Sequence, residues 1–236
     1  MARRSEIGAV VVVAALLAGC SSGSNHGSST PTVVASSSSS SSVPSTASTS
    51  TTTSVPAVNP TVDVASAKAA VLTLADLPSG WTAGPHAPNS DPALDANIAA
   101  CLHVGLALTN SDLQPHADSQ DFAGPAGRQV QSGIAVFRSV SLATRWIQLY
   151  STPAARACLA TTIGASAHAT LQASEVSLPA IGDGQAGIRI SNPGITADAV
   201  FARRGRAIVF LAVRTPDGVD EGALLSKMIE RLAHRP

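Results

Sequence analysis

The sequence predicts an α+β fold, one antiparallel β-sheet flanked by helices, carried behind a signal peptide and a disordered tether. Three observations predict it. Residues 1–19 are basic and then apolar, residues 20–62 are dominated by Ser, Thr and Pro, and residues 63–236 alternate helical and strand periodicities. In that last stretch helices come first, then one strand, a helix pair, a run of strands and a closing helix, the order of an α+β layer structure.

Arg3 and Arg4 form a basic n-region, and Ile7 to Leu17 is an uncharged apolar run, the pattern of a secretory signal. A permanent span of a bilayer core about 30 Å thick needs about 20 apolar residues, so this run is too short. It ends in Leu17-Ala18-Gly19-Cys20, which resembles a bacterial lipobox. The resemblance implies cleavage before Cys20 and a diacylglycerol thioether on its sulfur, with further acylation such as palmitate. Each buried CH2 of such chains contributes about 0.8 kcal/mol, and two chains give stable anchoring where one does not. The alternative is ordinary secretion, with Cys20 a bystander.

From Ser21 to Thr61 there is no Asp, Glu, Lys or Arg, and Pro31, Pro44, Pro56 and Pro60 interrupt the serines and threonines. Such a segment offers too little apolar area to offset an ordering cost of about 1–2 kcal/mol per residue, so it is expected to be a disordered tether. It has the composition of an O-glycosylated stalk and equally of a plain linker.

The rest is of single-domain length. Ala69, Ala70, Val71, Leu74 and Leu77 recur at helical spacing and predict a helix over Ser66 to Leu77, stopped by Pro78. Asp91-Pro92 is a cap followed by proline and starts a second helix with Leu94, Ile98, Cys101 and Leu102 on one face. Thr109 to Arg128 is polar and aperiodic and is expected to be loop. Val130, Ile134 and Val136 mark a strand. Ser141 is expected to cap a helix with Leu142, Trp146, Leu149 and Tyr150 inward, and Thr152-Pro153 to start another running to Gly164.

Strands follow near Ala169 to Val176, Ala186 to Ser191, Thr196 to Arg203 and Arg206 to Arg214, the last two joined by a turn at Arg204-Gly205. Ala207 to Val213 is apolar on both faces, as a central strand covered on both sides would be. Asp217 is expected to cap a final helix with Leu224, Leu225, Met228 and Leu232 buried and Lys227, Glu230 and Arg231 outside.

Fifteen basic residues balance fifteen acidic ones, so no global positive field exists to hold nucleic acid, and no nucleic-acid partner is expected. Outside the cytosol, Cys101 and Cys158 most simply form a disulfide, the alternative being two buried thiols. Gly182-Asp183-Gly184-Gln185-Ala186-Gly187 matches a dinucleotide fingerprint in spelling, but Ile188-Arg189-Ile190 continues as strand where that fingerprint needs a helix. His103, His116, His168 and His234 show no metal-ligand spacing, and His116 with Asp118 fits a solvated loop pair better than a metal site. No G-x-S-x-G elbow is present in residues 63–236, and Asp220-Glu221 suits a helix N-terminus. Arg203, Arg204, Arg206 and Arg214 surround the hairpin and fit a solvated turn better than an acidic lipid or glycan site, while Trp81 and Trp146 are expected core anchors.

With the lipobox, the tether, Leu74-Ala75-Asp76-Leu77-Pro78-Ser79-Gly80-Trp81 and the Pro179-Ala180-Ile181-Gly182-Asp183 turn, the chain resembles actinobacterial, especially mycobacterial, envelope lipoproteins. Residues 64–236 are similar in layout to the PknH-like extracellular sensor domains of mycobacterial serine/threonine kinases. The resemblance implies an antiparallel sheet flanked by helices with a ligand-binding cleft, and it carries no catalytic residue across. It departs in its cysteines: that family is expected to hold two disulfides, and only Cys101 and Cys158 are available. The expected function is therefore a lipid-anchored extracytoplasmic, non-enzymatic binding or sensor-like module on the outer side of the cell membrane. It would need no cofactor, and it would take a small-molecule, lipid or glycan ligand or an envelope protein partner. An envelope hydrolase with a site assembled from distant residues, or a structural surface protein, are the alternatives.

Overall fold

The computed structural model describes residues 59–86, 92–109 and 114–233. The expected signal peptide, the lipobox-like stretch ending at Cys20 and most of the expected tether lie outside the described residues, as do Asp91 and His234.

Helix α1 (Pro60–Ala70) starts earlier than the helix expected at Ser66 and does not reach Leu77. Asn59 caps it, its side chain accepting from the amide of Val62, and Pro60 takes the first helical position. It ends because the amide of Leu72 donates to Ser132 Oγ (3.2 Å) instead of continuing the ladder. Thr73 and Asp76 then form a capping box around a 3-10 turn at Leu74–Asp76, leaving Leu74 exposed. The apolar spacing was right for a helix, but this local competition is stronger.

Strand β1 (Thr82–Gly84) follows, then helix α2 (Pro92–Cys101) and the short α3 (Leu106–Thr109). The stretch expected to be loop contains β2 (His116–Asp118), β3 (Asp121–Ala123) and a 3-10 turn at Pro125–Gly127. Both strands pair antiparallel with β4 (Gln129–Val136), and their registers differ by one residue, which marks a bulge at Ser119-Gln120. The bulge is held by Ser119 N donating to Ser132 O (2.8 Å) and Ser132 N donating to Ser119 Oγ (3.0 Å). Three-residue strands carry too little periodicity to show in the sequence; β4 imposes them.

Helix α4 (Val140–Tyr150) is capped by Ser139 rather than Ser141, because Ser139 has the extended backbone a cap requires and accepts from Leu142 N (3.2 Å). Ala143, Trp146, Ile147 and Tyr150 face inward, and Leu142 and Leu149 are less covered than expected. Thr152-Pro153 does start α5 (Pro153–Ala167), which outruns Gly164 and ends on His168 in the left-handed conformation.

The strands β5 (Gln172–Glu175), β6 (Gln185–Asn192), β7 (Ile195–Arg204) and β8 (Ala207–Arg214) then form an antiparallel run. Arg204 still pairs with Ala207, so the hairpin loop is Gly205-Arg206, one residue later than expected, with Gly205 at φ +56. Helix α6 (Glu221–Ala233) is capped by Asp220, which accepts from Ala223 N (2.9 Å). Asp217 instead offers its carbonyl to Arg128 Nε (2.6 Å), which fixes the loop before the helix.

Among the described residues the strands make one eight-stranded sheet in the order β1-β3-β4-β8-β7-β6-β5, with β2 also on β4. The fold is α+β. Helices cover both faces. On one face α2, α4 and α5 bury Leu94, Trp146, Leu159 and Ile163 against Ile188, Ile190, Phe201, Ile208 and Phe210. On the other, α1 and α6 bury Ala67, Ala70, Leu225 and Met228 against Val200, Val209, Leu211 and Val213. β8 is buried on both sides at the centre of the sheet, as its unbroken apolar run requires. Trp146 centres an aromatic cluster, 4.2 Å from Tyr150 and 4.8 Å edge-on to Phe201. Trp81 is half-buried and lies over Gly124, where a Cβ would come within 2.6 Å of its ring.

Candidate functional site

Most of the residues the sequence singled out serve the fold. The glycine-rich segment is a connection into β6, as its following strand implied. Asp183 within it accepts from the amide of Gly205 (2.7 Å), and Arg203 donates to the Asp183 carbonyl (2.9 Å). Arg204 lies near the same carboxylate, while Arg206 forks onto Asp63 of α1 (2.9 and 3.3 Å) and onto the Phe137 carbonyl (3.0 Å). Three of the hairpin arginines are thus engaged in holding the turn to its neighbours. His103 and His168 sit at positive φ at helix ends. His116 and Asp118 share β2 with their side chains 4.0 Å apart, and His86 Nδ1 lies 2.8 Å from Asp121 Oδ1 at the same end of the sheet. Among the described residues no group of three or more His, Cys, Asp or Glu is arranged to hold a metal ion.

Cys101 and Cys158 are bonded, their Cα atoms 5.9 Å apart, which ties α2 to α5. Helix α5 in turn forms one wall of an open groove of about 710 Å³. Arg156, Ala157, Ala160 and Thr161, spaced as one helical face, stand opposite Leu171, Ala173 and Glu175, which alternate along β5. Ala157, Ala160, Leu171 and Ala173 give it an apolar strip, and Gln172 and Ser174 join Arg156, Thr161 and Glu175 as its polar lining. At one end Arg156 reaches Glu175 (3.3 Å) and the Ser151 carbonyl (3.1 Å), while the Glu175 side chain stays 67% exposed.

The other wall is the rim of the sheet, since β5 pairs only with β6. Val176 N donates to Gly187 O (3.0 Å), and the same register sets Ser174 opposite Arg189 and Gln172 opposite Ser191. Antiparallel ladders alternate, so the backbone groups of Gln172 and Ser174 face β6 and those of Ala173 and Glu175 face outward. Side chains of Ala173 and Glu175 line the groove, and their amides and carbonyls border it.

A second cluster lies on the opposite face. Asp198 of β7 is fully buried and accepts from Arg189 Nε (2.7 Å) and Nη2 (2.6 Å) across the β6–β7 ladder. Glu221, at the start of α6, is 8% exposed and its carboxyl contacts that of Asp198. Burial first, then the Asp198 charge, push the Glu221 carboxyl up to about 8. In the helical layer of the first face, burial and then the Asp95 carboxylate push the Tyr150 hydroxyl well above its ordinary value, which keeps it neutral. The sequence reasoning missed Asp198. Its signal is a lone carboxylate among Ala197, Ala199, Val200 and Phe201, in a stretch from Ala197 to Ala202 otherwise apolar on both faces.

No family model matches this chain, and no curated protein matches it. A crystal structure is among the solved structures to which the chain is similar. That structure is the extracellular domain of PknH from Mycobacterium tuberculosis, at 8% identity and a TM-score of 0.38, over 71% of this chain and 94% of that one.

Proposed function

We propose that the chain is a lipid-anchored, extracytoplasmic, non-enzymatic binding module that takes an extended polypeptide segment of an envelope partner along the β5 edge. The observation that carries this is the coincidence of an outward-facing strand edge with an adjoining groove. Extended backbone is the ligand that satisfies free strand amides and carbonyls, and side-chain pockets beside the edge supply selectivity. An incoming strand would pair with Ala173 and Glu175. One small apolar side chain would enter between Ala157, Ala160, Leu171 and Ala173, and a cationic residue would meet the exposed Glu175. The signal sequence and Cys20 support the anchor, and no helix among the described residues is long and apolar enough to cross a membrane.

Proline tests the edge selectively, because an outward amide can be lost without breaking the sheet. Linear peptides selected from a random displayed library on the full chain should lose binding to the Ala173→Pro variant. Filling the groove with Ala160→Trp should weaken the same peptides. Peptides indifferent to both changes, or a stoichiometric lipid released from the groove on extraction, would overturn the reading.

A further inference from the structure

The Arg189–Asp198–Glu221 cluster lies on the face away from the groove and has an unequal charge count. Asp198 is fully buried and spends both oxygens on one guanidinium. Glu221 Oε1 is buried without a hydrogen-bond partner among the described residues. Two ionised carboxylates against a single arginine leave one negative charge uncompensated in the interior, and a buried charge in that position neutralises instead.

Among the described residues Arg189 is the one cation acting on Glu221, since Arg128, beside the loop before α6, donates to the Asp217 carbonyl instead. Facing Glu221 are Asp198 from β7 and Arg189 from β6, with Asp220 on its own helix; Asp217, in the loop before it, acts on Arg189. β8 presents Leu211 and Val213 to this face, α1 presents Ala67 and Ala70, and residues 176–181, which run beside the cluster, hold no titratable group. A carboxyl–carboxyl contact is a hydrogen bond only when one partner carries a proton.

We propose that Arg189, Asp198 and Glu221 form a proton-binding site: one proton held between the two carboxyls docks the first turn of α6 on the sheet, and its loss releases that turn. The loop leading into α6 turns through two left-handed residues, Thr215 at φ +55 and Gly218 at φ +79, and is held by Arg128 on the Asp217 carbonyl, so the first turn of α6 is the part free to respond.

Since the folded Glu221 carboxyl titrates above its ordinary value, its stabilisation is complete below 4.5 and is lost as pH rises to about 8. Thermal unfolding of the full chain across that window should show Tm falling for the wild type. Glu221→Gln, which stays neutral and keeps a donor for Asp198, should flatten the profile and unfold higher than the wild type at the alkaline end. Parallel profiles would overturn the proposal. A second measurement needs no variant: infrared spectra of chain labelled with carboxyl-13C glutamate should show an isotope-shifted protonated-carboxyl band at neutral pH that disappears on alkaline titration. Absence of that band at neutral pH would equally overturn it.

Discussion

Arg189 and Asp198 stand directly opposite each other on β6 and β7, and the guanidinium grips both carboxylate oxygens at 2.7 and 2.6 Å. The arginine is 42% exposed and the aspartate wholly buried, so the pair brings a solvated cation to an interior anion. Removing only the cation should be far more damaging than removing both charges.

Arg189→Ala should therefore destabilise the domain by about 3–5 kcal/mol, the usual cost of orphaning a buried ion. Urea unfolding measures it. The double change Arg189→Ala with Asp198→Asn should recover much of that loss, and additivity of the two single effects would argue against the coupling.

Asp76 and Arg231 join the turn after α1 to the last turns of α6, where Arg231 also donates to the Val71 carbonyl (3.0 Å). Burial pushes the Asp76 carboxyl up, but the hydrogen bonds from Arg231 and Thr73 outweigh it and hold it below 3.8. A lowered carboxylate stabilises fully above its ordinary value and loses that contribution as pH falls through the folded one. Arg231→Ala should cost about 1.5–3 kcal/mol near neutral pH and lose the Asp76 share of that cost in strong acid, keeping the share from the Val71 carbonyl, when followed by denaturant titration at each pH.

The Cys101–Cys158 bridge spans 57 residues. By the chain-entropy model a loop of that length contributes about 4 kcal/mol. Cys101→Ser with Cys158→Ser should lower the denaturation midpoint accordingly. Because α5 is tied through this bond, the double variant should also weaken any peptide held in the groove.

Gly133 lies beneath Phe210 and beside Asp118: an added Cβ would stand 2.0 Å from Phe210 Cζ and 2.5 Å from Asp118 Oδ1. Gly133→Ala should destabilise by about 1–3 kcal/mol through overpacking, measured by thermal unfolding.

Much of the fold can be derived from short-range signals. Thr152-Pro153 marks a helix start because cap and φ restriction act within four residues, and the apolar run of β8 needs only the rule that strands buried on both faces have no polar alternation. Capping was ambiguous where two acceptors lay close together, as at Ser139 and Ser141 or Asp217 and Asp220. There the choice rests on the backbone angle the chain takes, which the residue names do not determine. β2 and β3 were hidden because their pairing is supplied by β4.

The candidate sites were harder still. The groove arises where a helical face of period 3.6 meets alternate residues of β5, two patterns that share no stretch of sequence. Arg189, Asp198 and Glu221 are brought together by register and by the docking of α6; Arg189 and Glu221 alone resemble ordinary surface charges, and Asp198 stands out by its apolar neighbours.

Helix α1 is the first described element, and it lies on the face away from the groove. Tension applied at Asn59 and Pro60 would meet the Asp63–Arg206 fork and the Leu72–Ser132 bond first. Both contacts lead into β4 and the β7–β8 turn, the most densely paired part of the sheet. A load applied at Asn59 would thus enter the centre of the sheet, and the β5 edge, at the end of the strand order, would be remote from it.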